Sequence, residues 1–325
     1  MAYDLIIKGG TVVDGSGLPG YRADIGIQDG MIAKIGNLKG EGAKETMDAE
    51  GHIVSPGFID AHTHMDAQIF WDHLGSNVCY SGVTSIIFGN CGYTLAPCAK
   101  KDRRLVFSNF ERAEEISASA MEEGIPWSWE TIPELYSTVE RLPKGMNYGT
   151  YVGHSAIRTY VMGQRAFTET AGADDMAAMK KELESGLRAG AIGFSTSRSH
   201  THRTPEGRPV ASRLASRQEV EDLIGVMGDL RSGVFEIARE NTDNDPEKRK
   251  DDQDWLGRIA VEIGVPVTFG SPWYRRTRRD IWRGHFAMVD AVTAQGGKIL
   301  VQGPATWQGS LRSFETMMPY DKAPL

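Results

Sequence analysis

From Ile53 onward, short apolar β-rich runs alternate with amphipathic stretches of helical period, and this rhythm restricts the fold more than any other feature of the chain. The strands are expected at residues 53–61, 83–90, 147–154, 191–197, 233–239, 265–270 and 298–303. Helical patterns lie between them at 174–188, 216–231, 253–263 and 281–295, and Ser216 with Glu219 has the spacing of a capping box. Strands that alternate with helices form right-handed βαβ units and a parallel sheet. Seven in order predict an α/β fold of the (β/α)8 TIM-like barrel kind, whose chemistry gathers at the C-terminal strand ends. Segment 93–146 is too long for one crossover and is expected to hold extra helices beside the mouth. An eighth strand is missing before Leu325, so the barrel is expected to be incomplete in this chain, with an open edge. Either another polypeptide supplies it in a hetero-oligomer, or the chain is a fragment, or an early segment fills the gap. An open edge also predicts aggregation when the chain is made alone.

Residues 1–52 have a different pattern. Leu5-Ile-Ile, Thr11-Val-Val, Asp24-Ile-Gly-Ile and Met31-Ile-Ala-Lys-Ile are punctuated by Gly9-Gly10, Asp14-Gly15 and Asp29-Gly30. Asp-Gly pairs between such runs are hairpin signals. The segment is expected to be part of a small antiparallel β-sandwich domain, with the barrel occupying 53–325.

Composition narrows the class. The 325 residues are 40% hydrophobic and 24% charged, with a net charge of -7. Local basic clusters exist, as in Tyr274-Arg-Arg-Thr-Arg-Arg279, but no stripe of Lys and Arg interleaved with stacking aromatics follows them, which argues against nucleic-acid binding. No apolar run is long enough for a bilayer, and the N-terminus reads as a strand rather than a signal peptide. Cys79, Cys91 and Cys98 cannot all pair, so a cytoplasmic location is expected.

The chemistry begins at Ser55-Pro-Gly-Phe-Ile-Asp-Ala-His62-Thr-His64-Met-Asp66. Histidines two apart at a strand end point to one face, and neutral imidazole is a good ligand for zinc and similar metals. The alternative is a pair of rim histidines satisfied by hydrogen bonds. Val83-Thr-Ser-Ile-Ile-Phe-Gly-Asn90-Cys91-Gly92 then ends a second apolar strand in a cysteine at the same rim. A thiolate there would bind the same ion, although free cysteine is more often a small buried hydrophobe. Cys79 and Cys98, and likewise His52 and His285, have no such setting.

Together these features resemble the amidohydrolase superfamily, in its D-aminoacylase (N-acyl-D-amino-acid deacylase) branch. The resemblance runs in order along the chain and includes Gly153-His154 and Gly193-Phe-Ser-Thr-Ser197. It implies that His62, His64 and Cys91 hold the metal, zinc or another divalent ion such as manganese or iron, as one or two ions. It further implies hydrolysis of an N-acyl amide by metal-activated water. The family's strand-five and strand-six histidines are absent from Val234-Phe-Glu236-Ile-Ala-Arg239-Glu240 and Val267-Thr-Phe-Gly-Ser-Pro-Trp273. Glu236 or Glu240 could substitute as an oxygen ligand or be ion-paired. The family's strand-eight aspartate, its general acid/base, would lie beyond Leu325.

Other residues share the predicted rim. The run Ser195-Thr-Ser197-Arg198-Ser-His200-Thr-His202-Arg203 follows strand four. His200 and His202 could supply replacement ligands, Arg198 and Arg203 could clamp a substrate carboxylate, or the run could be a salt-bridged polar loop. His154 is expected to orient metal or substrate, Asp66 to stand behind the ligands or face substrate, and His73 to line the pocket. The leading reading is a hydrolase of linear N-acylated or cyclic amides. A non-catalytic subunit of a heteromer and a C–C hydrolase or lyase on the same metal remain open.

Overall fold

The computed structural model describes residues 2–112, 114, 116–242, 244–271 and 281–303. The basic cluster at 274–279, Trp273 and the helical pattern after Gly303 fall outside these. Chain contacts divide the molecule after Phe58.

The first unit holds β1 (Tyr3–Val12), β2 (Tyr21–Gln28), β3 (Met31–Gly36), β4 (Ala43–Asp48) and β5 (Ile53–Val54). The all-antiparallel pairing expected here does not form. The strands make one mixed sheet in the order β3-β2-β1-β4, in which β4 and β5 run parallel to β1. The hairpin signal at Asp29-Gly30 does its local work, since both residues have positive φ (52° and 73°) and turn β2 back on β3. Turn residues report which neighbours pair antiparallel; they carry no information about a later strand that returns in parallel.

The second unit follows the predicted alternation. Its elements are β6 (Phe58–Asp60), α1 (Ser76–Cys79), β7 (Val83–Phe88), α2 (Arg103–Glu111), α3 (Ala118–Gly124), α4 (Ile132–Glu140), β8 (Asn147–Thr150), β9 (Val152–Gly153), α5 (His154–Met162) and α6 (Ala173–Arg188). Then come β10 (Gly193–Ser197), α7 (Arg217–Leu230), β11 (Val234–Ala238), α8 (Pro246–Arg258), β12 (Val267–Gly270), α9 (Ile281–Ala294) and β13 (Ile299–Gln302). Segment 93–146 carries α2, α3 and α4, as its length required. The third predicted strand is interrupted at Tyr151. β8 pairs with β7 and β9 with β10, so the ladder is two sheets, β6-β7-β8 and β9 through β13 in sequence order.

An open edge after the seventh strand is not shown by the described residues. No backbone ladder joins β13 to β6 among them, yet the C-terminal ends of the two strands meet. Gln302 Oε1 lies 2.7 Å from His62 Nδ1, and Gln302 Nε2 donates to the carbonyl of Ala61 at 3.4 Å. Two predicted helices differ in detail. The helix expected at 253–263 begins earlier, at Pro246, where Asp245 caps the backbone amide of Lys248 and proline sits in the first turn. Its charged first half has no apolar stripe to announce it. Ser216 caps α7 through Glu219 N as predicted, but Glu219 does not return the bond, because its carboxylate is engaged elsewhere.

Alternation along β10 and β11 sorts the two faces. Phe194 and Phe235 stack at 6.0 Å and pack towards Trp255, fully buried, which contributes roughly 1.5–3 kcal/mol for each side chain. Ser195 pairs in register with Glu236, so both project from the opposite face. No helix among the described residues is long and apolar enough to cross a membrane.

Candidate metal centre

The rim corner is assembled by backbone. Thr63, between the two histidines, turns the other way, and both its amide (3.0 Å) and its hydroxyl (2.9 Å) donate to the carbonyl of Ile87 at the end of β7. Asn90 Nδ2 donates to the carbonyls of Thr63 and Ile87 at 3.2 and 3.0 Å. The run after β6 is thereby tied to the turn after β7. That turn has positive φ at Gly89 (75°), Cys91 (58°) and Gly92 (82°). A non-glycine residue in the left-handed region is strained and needs outside support. Ser195 supplies it, with its hydroxyl donating to Gly89 O and accepting from Gly92 N, while Glu236 Oε2 accepts the Cys91 amide at 2.7 Å. A Cβ at Gly153 would come within 2.7 Å of Gly92 O, so small residues are required where the strands crowd this turn.

Three predicted ligands converge. One ligand atom each from His62, His64 and Cys91 lies within 4.8 Å of the others, and His62 Nε2 is 3.3 Å from Cys91 Sγ. Gln302 accepts from His62 Nδ1, which leaves Nε2 with its lone pair towards the sulfur. His64 Nε2 stands 3.2 Å from Glu114 Oε2, and its Nδ1 is buried without a hydrogen-bond partner. Burial lowers the pKa of both imidazoles, so they are neutral and able to ligate. Burial, then the nearby carboxylates of Glu236, Glu114 and Asp66, push the Cys91 thiol well up. Burial likewise raises Asp66 and Glu236, each to about 8. Glu236 Oε1 also lies buried without a hydrogen bond, 3.7 Å from His62 Nδ1. Neutral imidazoles, a thiol and acids that cannot ionise comfortably form a donor set that fits a divalent cation.

The remaining candidates divide. Glu236 stands behind the cluster and holds the Cys91 amide rather than joining the ligand group, and Ser195 braces the same turn. His202 joins a second group with Cys91 and Glu114, again within 4.8 Å. Burial and the neighbouring His62 and Arg213 lower its pKa to about 3, and Ser197 Oγ holds its Nδ1 at 2.8 Å. His200 is exposed and contributes carbonyl contacts to the loop.

Arg198 and Arg203 are both tied to backbone carbonyls around the loop after β10. Arg198 donates to Ala215 O, and Arg203 donates to the carbonyls of His200 and Gly207, so both brace their own loop. His154 has both ring nitrogens bonded to protein side chains. Its Nδ1 meets Thr196 Oγ1 at 2.8 Å and its Nε2 meets Glu219 Oε1 at 3.0 Å, with Arg158 on the same carboxylate. His73 bonds Ile69 O, and His285 contacts Arg239.

A cavity of about 460 Å³ opens against His62 and Cys91, with His202, Arg239, Phe269 and His285 among its walls. That volume is within the range of small-molecule sites, roughly 300–1,000 Å³. Arg239 enters it held by both Asp252 (2.6 Å) and the face of Phe269 (4.6 Å). Glu114, Gln302, Tyr93 and Arg239 were not singled out from the sequence. Gln302 left a trace, a polar residue closing the apolar run Ile299-Leu-Val; Glu114, in the inserted segment, left none.

A model of the amidohydrolase family matches residues 45–319, and the chain belongs to that family. It is 35% identical to D-aminoacylase of Alcaligenes xylosoxydans xylosoxydans over 196 residues, 60% of this chain and 37% of the relative. The N-acyl-D-glutamate deacylase of the same organism is 36% identical over 194 residues, 59% of this chain and 37% of the relative. Among solved structures, N-acyl-D-glutamate deacylase from Bordetella bronchiseptica, complexed with zinc and a phosphonate inhibitor, superposes with a TM-score of 0.73 at 25% identity. The match covers 93% of this chain and 58% of that one. A D-aminoacylase structure concerned with a binuclear metal centre gives 0.72 at 27% identity, over 92% and 58% of the two chains. This chain thus spans little more than a third of the curated relatives and under two thirds of the solved ones.

Proposed function

We propose that this chain provides the metal-binding core of a hydrolase that cleaves the amide C–N bond of N-acylated amino acids. The observation that carries the reading is the convergence of His62, His64 and Cys91 on one space at the strand ends, beside a cavity of amino-acid size. A divalent ion held there supplies Lewis-acid polarisation of the scissile carbonyl and makes water acidic enough to attack near neutral pH.

The chain's own residues do the rest. Gln302 keeps His62 in the tautomer whose Nε2 faces the sulfur. Glu236 and Ser195 hold Cys91 in its strained turn. Arg239, ion-paired with Asp252 and in contact with His285, gives the cavity a fixed polar wall. A reducing, cytoplasmic setting suits this assignment, because Cys91 works as a free thiol and Cys79 and Cys98 are also unpaired.

The test is metal analysis joined to a screen of N-acyl-D- and N-acyl-L-amino acids, read by release of the free amine. It should be run on this chain and on the chain with any natural flanking sequence. Bound zinc and amide turnover, both lost in His64→Ala and Cys91→Ala, are expected. Metal bound without turnover of any amide would remove the assignment. One observation favours a second reading, a non-catalytic subunit: β11 and β12 carry no histidine. A folded chain that binds no metal would decide for it.

A further inference from the structure

Cys91 belongs to two clusters at once. Besides His62 and His64, its sulfur shares a space with Glu114, which follows α2, and with His202 on the loop after β10. We propose that Glu114 and His202, with the sulfur of Cys91 as the shared ligand, form a second divalent-cation position in this chain. The proposal rests on the hydrolase reading of His62, His64 and Cys91, and it assigns the second position to two loops rather than to strands five and six.

Four observations support it. The three ligand atoms lie within 4.8 Å of one another, while a tetrahedral zinc ion needs its ligand atoms roughly 3.3–3.8 Å apart, so small side-chain shifts suffice. His202 is pre-set in the manner of a metal-binding imidazole. Ser197 Oγ holds its Nδ1 at 2.8 Å and also accepts the Ser199 amide at 3.2 Å, which leaves Nε2 for a ligand. The wall between the positions is Tyr93, whose ring lies 5.9 Å from His64 and 5.5 Å from His202. Its hydroxyl is buried and lacks a hydrogen-bond partner, a sign of polar space that wants an occupant.

The last observation is the place of the Glu114 carboxylate. Glu114 Oε2, already 3.2 Å from His64 Nε2, stands between the positions.

The experiment is a titration of the purified, metal-stripped chain with cobalt(II) and zinc. Bound metal is counted by mass spectrometry after desalting, and the thiolate-to-cobalt charge-transfer band reports occupancy at Cys91. Circular dichroism checks folding. Wild type is expected to hold two equivalents. His202→Ala and the near-isosteric Glu114→Gln are each expected to hold one and to keep the charge-transfer band. Two equivalents in both variants would overturn the proposal. A single wild-type equivalent that survives His202→Ala and Glu114→Gln but disappears in His64→Ala would overturn the second position and leave the first intact. A single equivalent lost in His202→Ala and Glu114→Gln but kept in His64→Ala would support this position and sink the first. A folded chain with no metal would sink both.

Discussion

Two histidine clusters lie near the strand ends of the larger unit, and they differ in how their charges are paired. Around His154 both ring nitrogens are bonded and charge is balanced. Arg158 faces Glu219, whose carboxyl burial alone would raise but which the bonds from His154 and Arg158 hold below the usual range. Around His62 and His64 an imidazole nitrogen and a carboxylate oxygen are buried without partners, and Asp66 and Glu236 have no Arg or Lys within ion-pair reach among the described residues. The first cluster joins α5 and α7 to β10 and pairs its charges within the protein, although Glu219 Oε2 and Arg158 Nε have no hydrogen-bond partner. The second is complete only with something added. Burial and single unsatisfied atoms do not separate structural from functional polar groups; whether the buried charges find opposite partners does.

That contrast can be broken by experiment. The largest effect is expected at the closed cluster. Glu219→Ala leaves Arg158 buried and unpaired and should lower unfolding free energy by about 3–5 kcal/mol, with metal content per folded molecule unchanged. Denaturant unfolding and metal analysis of the same sample check both halves. Loss of metal there would merge the two clusters into one. At the open cluster the pattern should invert. Cys91→Ser should weaken metal binding by more than the ~10–100-fold that an orienting partner is worth, with a small change in the stability of the metal-free chain.

Gln302→Leu tests the positioning role alone. It removes the acceptor that sets the His62 tautomer, and affinity for zinc should fall roughly 10-fold, within the range for such partners. A chelator competition would read it, and unaltered affinity would make Gln302 a closure contact only.

The last test is the pH dependence of the metal-free chain. Asp66 and Glu236 titrate near 4 when unfolded and at about 8 when folded. Between those values the folded state holds more protons, so stability should decrease as pH rises through that window. Zinc should reverse the trend, because its ligands bind deprotonated. Melting temperatures from pH 5 to 8, with chelator and with zinc, would show it; two parallel profiles would mean that the acids are not the cation's counter-charges.

Much of the site was legible because it depends on short spacing. His62 and His64 share a face through alternation, and Cys91 ends the next strand at the same rim, so three ligands could be named from local pattern. The residues beside them could not be ranked in that way. Arg198 and Arg203 read equally as a clamp or as part of a polar loop, and each donates to backbone carbonyls around that loop. His154 sits at a strand end like the ligands, but its neighbours Thr196 and Glu219 turn it into the protein.

The amino-acid order by itself determined the strand and helix rhythm, the rim position of the paired imidazoles and thiol, and membership in a family of hydrolases. Only the tertiary structure decided that the N-terminal strands form a mixed sheet, that Gln302 reaches back across 240 residues to His62, and that Glu114 and His202 face the same sulfur. The physical reason is range. Backbone periodicity and turn chemistry act over a few residues and can be read along the chain. Whether a buried donor, acceptor or charge finds its partner depends on distant segments that meet only in the folded state.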